Sequence, residues 1–120
     1  MKEITAYIKA PRLPAVLQAL HKMQALDGLS FWEIRGFGAH RPVNGSTGII
    51  QDLVGSAPYV RLETFCPDEL EFEVVTLIQR AAWTGNPGDG KIFVTRVERA
   101  VRISTEEEGE AAFNRWWQPR

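Results

Sequence analysis

The chain has 120 residues and a formal net charge of −1, with 44% hydrophobic and 24% charged residues. This length and composition are typical of one soluble globular domain, and the charge excludes a global attraction to nucleic acid or anionic lipid. Apolar runs fall short of the roughly 18 residues of a membrane span, and Met1 to Thr5 lacks the pattern of a signal peptide. The single cysteine, Cys66, fits a reducing cytoplasm and favours a small buried side chain over a reactive thiol.

The first third of the chain predicts a strand, a helix and a second strand. Ile4 to Lys9 alternates apolar and polar residues, which is typical of a half-buried strand. From Leu13 to Leu26 the apolar residues recur at helical spacing, and the following Asp-Gly pair predicts the end of a helix. Leu29 to Arg35 then predicts a second strand, in which Phe31 and Ile34 are expected to be buried.

A long loop follows. Ala39 to Pro58 is rich in glycine, proline and small polar residues. A segment of about 20 residues without regular structure is rare in a small domain and is usually functional or disordered. Its aliphatic residues, such as Ile49 and Leu53, are candidates for a contact surface. The alternative is a short helix or hairpin that turns these residues inward.

The second half repeats the order of the first. Tyr59 to Phe65 alternates and predicts a strand, and Pro67 to Gly85 predicts a helix with acidic residues in its first turn. Lys91 to Arg99 predicts the last strand, anchored by Ile92, Val94 and Val97, and Val101 and Ile103 are expected to continue in extended form. The end is expected to hold an acidic turn at residues 105–108 and a short amphipathic segment at 111–117, with Trp116 and Trp117 packed on the core.

This order predicts one domain over residues 1–120 with an α+β fold. Two β-α-β units joined by a long loop are the pattern of a ferredoxin-like split βαβ sandwich, in which a four-stranded antiparallel sheet is backed by two helices. The second face of such a sheet must also be covered, most simply by further copies of the chain.

The segment Thr84 to Val94 is the most informative motif. Three glycines, an aspartate and Lys91 lie within one short turn that leads into an apolar strand. Glycines permit a tight turn whose N–H groups form an anion-binding concavity, and a lysine at its rim suits a phosphate. Because Gly-Asp-Gly is also ordinary turn chemistry, the motif alone leaves a phosphate cradle and a simple turn both open. It is not a Walker motif, since Ile92 follows the lysine.

Taken together, these segments resemble the PII signal-transduction proteins of nitrogen regulation. The resemblance covers Met1 to Glu108 and is carried by Lys2–Lys9, by Glu33–Gly38 and above all by Thr84–Val94. The tail at residues 109–120 lies outside it. The family consists of cytoplasmic homotrimers that bind ATP or ADP in the clefts between subunits and act on targets, often membrane transporters, through a T-loop. Residues 39–58 correspond to that T-loop.

The resemblance also implies a set of nucleotide-binding residues. Gly88, Asp89, Gly90 and Lys91 of the turn would hold the phosphates, and Gly36, Phe37 and Gly38 at the base of the T-loop would wall the site. Ser30 would lie near the adenine, Glu63 and Thr64 would lie on the strand that lines the base, and Arg102 would reach in from the neighbouring subunit.

Some T-loop and effector positions depart from the family pattern. Asp52 replaces the tyrosine that is uridylylated, and Ile50 replaces a serine that is phosphorylated in some members. His40 replaces a glutamine that helps to hold Mg²⁺ and 2-oxoglutarate, and Tyr59 replaces the lysine that pairs with 2-oxoglutarate. A phenol cannot supply that positive charge, so 2-oxoglutarate sensing is not expected. Bicarbonate near His40, Tyr59 and Arg61 is the substitute effector that we consider.

Three further departures remove positive charge near the phosphates. Ala39, Asn86 and Ser104 stand where the family has arginine, lysine and arginine. The sequence therefore predicts that ADP or AMP binds as well as ATP or better. Alternatives are a nitrogen-regulatory PII that senses ATP and 2-oxoglutarate, a small enzyme with weak ATPase activity, and a structural trimer with an inactive site. Catalytic triads, paired carboxylates and the close ligand spacing of a metal site are not seen in the sequence, so neither an enzyme nor a metal site is expected.

Overall fold

The architecture follows the predicted order of elements. A computed structural model describes residues 1–23, 28–36 and 57–114. Short 3₁₀ turns at Ala10–Arg12 and Asp68–Leu70 lead into the first two helices. The strands and helices are β1 (Lys2–Lys9), α1 (Leu13–His21), β2 (Leu29–Gly36), β3 (Ala57–Cys66), α2 (Glu71–Ala82), β4 (Gly90–Arg96) and α3 (Glu110–Asn114).

The four strands form one antiparallel sheet in the order β2-β3-β1-β4. The strand that follows α1 and the strand that follows α2 therefore lie at opposite edges. Ala6 in the central strand β1 lies opposite Leu62 of β3 and Ile92 of β4. This arrangement confirms the ferredoxin-like α+β fold.

The core lies between one face of the sheet and the two long helices. Alternate residues of β1 and β3 point to the same face, because side chains alternate along a strand. The cluster of buried side chains consists of Ile4, Ala6, Ile8, Val16, Leu20, Val60, Leu62, Cys66, Val74, Ile78 and Ala82. We call this side of the sheet the helix face.

The opposite side of the sheet, which we call the open face, has a different composition. The strand register places Lys9, Tyr59 and Ile34 in one row, Lys91, Tyr7, Arg61 and Trp32 in the next, and Phe93, Thr5, Glu63 and Ser30 in a third. Apart from Ile34, the row members are charged, hydroxylated or aromatic. Phe93 is 52% and Trp32 40% exposed in the single chain.

The burial predicted for Phe31 is wrong, and Val94, expected to anchor its strand, is also partly exposed, because both lie on edge strands. Phe31 lies on the helix face of β2 but is 47% exposed, and Val94 of β4 is 37% exposed. Leu62 and Ile4, their partners on the neighbouring central strands, are fully buried. An apolar residue at the edge of the sheet extends beyond the layer that the helices cover.

Several predicted boundaries also change. Helix α1 ends at His21 rather than near residue 26, and residues 24–27 lie outside the described part of the chain. Strand β4 ends at Arg96 rather than Arg99, and Ile103 lies in a turn, 97% exposed, rather than in an extended segment. The last two residues assigned to the T-loop belong to β3, which begins at Ala57. The remainder, residues 39–56, and the tryptophans of the tail lie outside the described residues.

Candidate functional site

The glycine-rich turn joins α2 to β4 at one end of the sheet. Gly85, Gly88 and Gly90 have φ angles of +84°, +84° and +108°, a region that side chains other than glycine rarely adopt. Gly90 also lies against β1, because a Cβ built on it would fall 1.6 Å from the carbonyl oxygen of Tyr7. The turn therefore needs glycine both for its backbone conformation and for its close approach to the sheet.

Asp89 organises this turn. Its carboxylate accepts hydrogen bonds from the backbone N–H of Thr84 at 2.7 Å and from the Thr84 hydroxyl at 2.5 Å, and it lies 3.1 Å from Nζ of Lys9. The hydrogen bonds from Thr84, with a contribution from Lys9, lower the pKa of Asp89 to about 2. Its negative charge and its two partners indicate that Asp89 shapes the turn rather than contacting a phosphate itself.

A second side chain reaches the turn from the sheet. The hydroxyl of Tyr59 donates a hydrogen bond to the carbonyl oxygen of Gly88 at 2.5 Å. Tyr59 and Lys9 are direct partners in the register of β1 and β3, so the turn is held from two adjacent strands. Sequence reasoning missed Lys9 and Thr84 as site residues. The alternation of β1 places Lys9 on the open face, but only the strand register brings it to Asp89.

Arg12 holds the other side of the same region. Its Nε and Nη2 donate to the carbonyl oxygen of Ala81 at 2.9 and 2.6 Å. This carbonyl belongs to the last turn of α2, whose final C=O groups have no partners within the helix. The guanidinium therefore fixes the end of the helix from which the turn departs.

Lys91 follows the turn and is exposed beside an open cavity of about 330 Å³. The cavity lies between the end of α2 and β4, and Trp83, which is 63% exposed, lines it. On the open face Lys91 is the register partner of Tyr7, and the ring of Tyr7 meets that of Phe93 edge-to-face at 6.1 Å. A cation here borders a rigid concave backbone and an aromatic surface, an arrangement suited to a ligand with an anionic end and a planar group.

A second group of predicted site residues lies at the far side of the open face. Ser30 of β2 is the register partner of Glu63 of β3. The carboxylate of Glu63 lies 3.7 Å from Nη2 of Arg61, and the guanidinium of Arg61 lies 4.6 Å from the ring centre of Trp32. Arg61 and Tyr59, both considered for a second effector, lie two positions apart on β3. Arg61 contacts Glu63 and Trp32, and Tyr59 contacts Gly88.

The two groups are too far apart to hold the same phosphate. Lys91 lies on β4 and Ser30 on β2, three strand spacings away, with a further shift of one row. At about 4.8 Å between strands this corresponds to roughly 15 Å between their Cα atoms. Within one chain they would contact opposite ends of a ligand or belong to two different sites.

The remaining predicted residues have mixed positions. The Thr64 hydroxyl donates to the carbonyl oxygen of Gly28 at 2.8 Å on the helix face, where Thr64 is fully buried, so its side chain supports the start of β2. Gly36 ends β2, and Phe37, Gly38 and His40 lie outside the described residues. Arg102 is half-buried in a turn whose backbone bonds join it to Glu107 and Glu106.

The thiol of Cys66 is buried in the core. Burial, reinforced by the negative charge of Glu71, raises the pKa of the Cys66 thiol to about 11, which suits a packing role. In residues 1–23, 28–36 and 57–114, histidine, cysteine and acidic residues do not gather into a group that could hold a metal ion. Among the helices of the same residues, none has the length and apolarity needed to cross a membrane.

The whole chain was then compared with known proteins. The family model described as "Nitrogen regulatory protein P-II" matches residues 1–107. A protein of that name from Haemophilus influenzae is 42% identical over 115 residues, covering 93% of this chain and 99% of its own. The P-II protein of Azospirillum brasilense is 41% identical over 112 residues, which cover 91% of this chain and 96% of its own. The P-II 1 protein of Escherichia coli is 39% identical over 115 residues, which cover 93% of this chain and 99% of its own. The chain therefore belongs to the P-II family of nitrogen regulatory proteins.

Proposed function

We propose that this protein is a regulator that binds an adenine nucleotide, with the phosphates at the turn 84–91. The observation that carries the proposal is the braced turn with Lys91 beside it. Asp89, Lys9 and Tyr59 fix the backbone from inside, while the Lys91 ammonium stays exposed at the edge of the cavity. A fixed backbone whose N–H groups and neighbouring cation need no rearrangement is suited to bind phosphate oxygens.

The proposed assembly is a homotrimer whose nucleotide sites lie between subunits. Ser30 of β2 stands roughly 15 Å from Lys91 on the same face, and Glu63, one strand nearer, stands roughly 12 Å away, as counted from the strand spacing. A neighbouring copy placed on the open face would bring one group towards the other and would cover the exposed rings of Trp32 and Phe93. Arg102 would add its positive charge from the neighbouring subunit.

The proposed ligands are ADP, AMP and ATP, and the proposed output is regulation of a partner through residues 39–58. Lysine and arginine are replaced by Asn86, Ala39 and Ser104 at positions that would face the phosphates. Fewer cations favour ligands with fewer charges, so ADP or AMP is expected to bind as well as ATP or better. The partner would be a transporter or another protein in the cytoplasm, with bicarbonate as the second effector.

Nitrogen regulation is the second candidate, favoured by the names of the relatives. It would require a dicarboxylate such as 2-oxoglutarate to bind beside the nucleotide. Tyr59 supplies no positive charge, and its hydroxyl proton is committed to the carbonyl of Gly88. A dicarboxylate would therefore lack a counter-ion at this position, so we favour a signal other than 2-oxoglutarate.

Calorimetric titration with ATP, ADP and AMP tests the proposal. Replacing Lys91 by alanine should weaken nucleotide binding about tenfold or more, because a hydrogen bond to a charged group typically contributes about 1.5–3 kcal/mol. Lys22→Ala is the matched control, since Lys22 is an exposed lysine at the end of α1, away from the turn. The Lys22→Ala variant should bind each nucleotide with the affinity of the unmodified protein.

Three outcomes would contradict the proposal. They are the absence of heat with all three nucleotides at millimolar concentration, a monomer in sedimentation analysis, and equal losses in the Lys91 and Lys22 variants. A parallel assay of phosphate release from ATP separates a regulator from a weak ATPase. Titrations with 2-oxoglutarate and with bicarbonate in the presence of nucleotide then distinguish the two effector hypotheses.

A further inference from the structure

Tyr59 makes a long-range contact with the turn through its hydroxyl group. Its hydroxyl lies 2.5 Å from the carbonyl oxygen of Gly88, 29 positions along the chain. The contact is close, because a Cβ built on Gly88 would lie 3.2 Å from the same hydroxyl. The tyrosine is half-buried, so its ring is held by the sheet and its hydroxyl is presented to one peptide of the turn.

This contact fixes the direction of an N–H group. The peptide between Gly88 and Asp89 is trans, since the described residues contain no cis bond, and a trans peptide is planar with its C=O and N–H on opposite sides. With the carbonyl oxygen of Gly88 directed at Tyr59, the N–H of Asp89 must point away from β3. The hydroxyl of one residue thus determines where the donor of another is aimed.

Without such a constraint this peptide could adopt other orientations. It turns about the ψ bond of Gly88 and the φ bond of Asp89, and Gly88, which has no Cβ and a φ of +84°, restricts its backbone less than any other residue would. Lys9 and Thr84 hold the Asp89 side chain, but a side chain held on one side of a peptide leaves the carbonyl on the other side unrestrained. Tyr59 supplies that second point, from the strand next to the one that carries Lys9.

We propose that Tyr59 is a positioning residue for the anionic end of the ligand, acting through the Gly88–Asp89 peptide without touching the ligand. The inference rests on the proposed function, since it assumes that the turn binds phosphate. It also gives Tyr59 a different role from the second-effector contact considered from the sequence. Because its proton is engaged, an anion could receive a hydrogen bond from Tyr59 only by breaking the contact with Gly88.

The test removes only the hydroxyl. Tyr59→Phe keeps the ring and should leave the thermal midpoint and the oligomeric state nearly unchanged. The dissociation constant for ADP should rise about 3- to 10-fold, which corresponds to the loss of one typical hydrogen bond. Adenosine, followed by ligand-observed NMR, should bind the variant as it binds the unmodified protein. In ¹⁵N–¹H spectra the amide signal of Asp89 should move in the absence of ligand.

Thr95→Val is the matched control. It also removes a hydroxyl from the open face, but at the other end of the sheet, where Thr95 Oγ1 lies 3.5 Å from the Glu3 carboxylate. ADP affinity and the Asp89 amide signal should not change in this variant. An unchanged Asp89 signal in Tyr59→Phe, unchanged ADP affinity, or equal losses for ADP and adenosine would each overturn the positioning role. If the unmodified protein fails to bind ADP, the proposed function fails first, and that outcome is distinct from these.

Discussion

The two faces of the sheet differ in what their side chains do. On the helix face, residues from four elements, β1, α1, β3 and α2, are apolar and nearly inaccessible to solvent. On the open face, neighbouring strands carry lysine, arginine, glutamate, hydroxyl groups and aromatic rings, many of them partly exposed. Burial of apolar groups drives folding, whereas charged and aromatic groups left accessible are available to ligands and partners. The contrast separates residues that stabilise the fold from those that define the site.

The turn 84–91 stands where these two faces meet. Arg12, just before α1, donates to the carbonyl oxygen of Ala81 at the end of α2. From the open face, Lys9 contacts Asp89 and Tyr59 contacts Gly88. The site is therefore built on rigid elements rather than on a free loop. This arrangement predicts that substitutions on each face change different properties, and three experiments test it.

The largest expected effect comes from the helix face. Ile78 on α2 is fully buried, and Ile78→Ala should lower the free energy of unfolding by about 2–5 kcal/mol, through lost apolar burial and the cavity left behind. Phe72→Ala is the control on the same helix, since Phe72 is 81% exposed and its change should stay within about 0.5 kcal/mol. Urea unfolding measures both. Similar losses in the two variants would show that Phe72 is covered in the assembled protein, and the comparison of faces would need revision.

A smaller effect is expected where the turn meets the sheet. Gly90 and Gly28 have nearly equal φ angles, +108° and +107°, but a Cβ on Gly28 would meet nothing within 4 Å. Because the two φ angles agree, alanine has a similar φ penalty at either position, and the difference between Gly90→Ala and Gly28→Ala reports mainly the collision with Tyr7. We expect Gly90→Ala to lower the free energy of unfolding by about 1–3 kcal/mol more than Gly28→Ala does. Urea unfolding measures both losses. Equal losses would mean that β1 and β4 shift apart without difficulty.

The comparison of faces also shows what could be predicted from the sequence. Alternation in β1 and β3 and helical spacing in α1 and α2 were enough for the fold, because both patterns report burial on one side of an element. The burial of Phe31 was predicted wrongly, since strand β2 has apolar residues on both faces and periodicity does not reveal that it is an edge strand. Ile103 was assigned to an extended segment because an apolar residue between polar ones looks the same in a strand and in a turn.

The candidate site was predicted in part. Gly88, Gly90 and Lys91 could be predicted as candidates from the turn itself, because the conformational freedom of glycine and the charge of lysine are local properties. Lys9 and Tyr59 reach the turn only through strand register, over 80 and 29 positions of sequence. The role of such residues cannot be inferred from spacing along the chain, and the structure was needed to find it.

The last and smallest effect concerns the charge of Asp89. Its pKa is lowered from 3.8 to about 2 by Thr84 and Lys9, so the folded state binds this proton more weakly than the unfolded state does. The resulting stabilisation is present above pH 3.8 and is lost as the pH falls towards 2. Asp89→Asn should flatten the decline in unfolding free energy between pH 4 and 2 and should weaken ADP binding at neutral pH. Asp68→Asn is the control, because the pKa of Asp68 is also lowered, by the amino terminus 2.7 Å away. It should alter the pH dependence of stability and leave ADP binding unchanged; a loss of ADP binding in both variants would contradict a local role for Asp89 in shaping the turn.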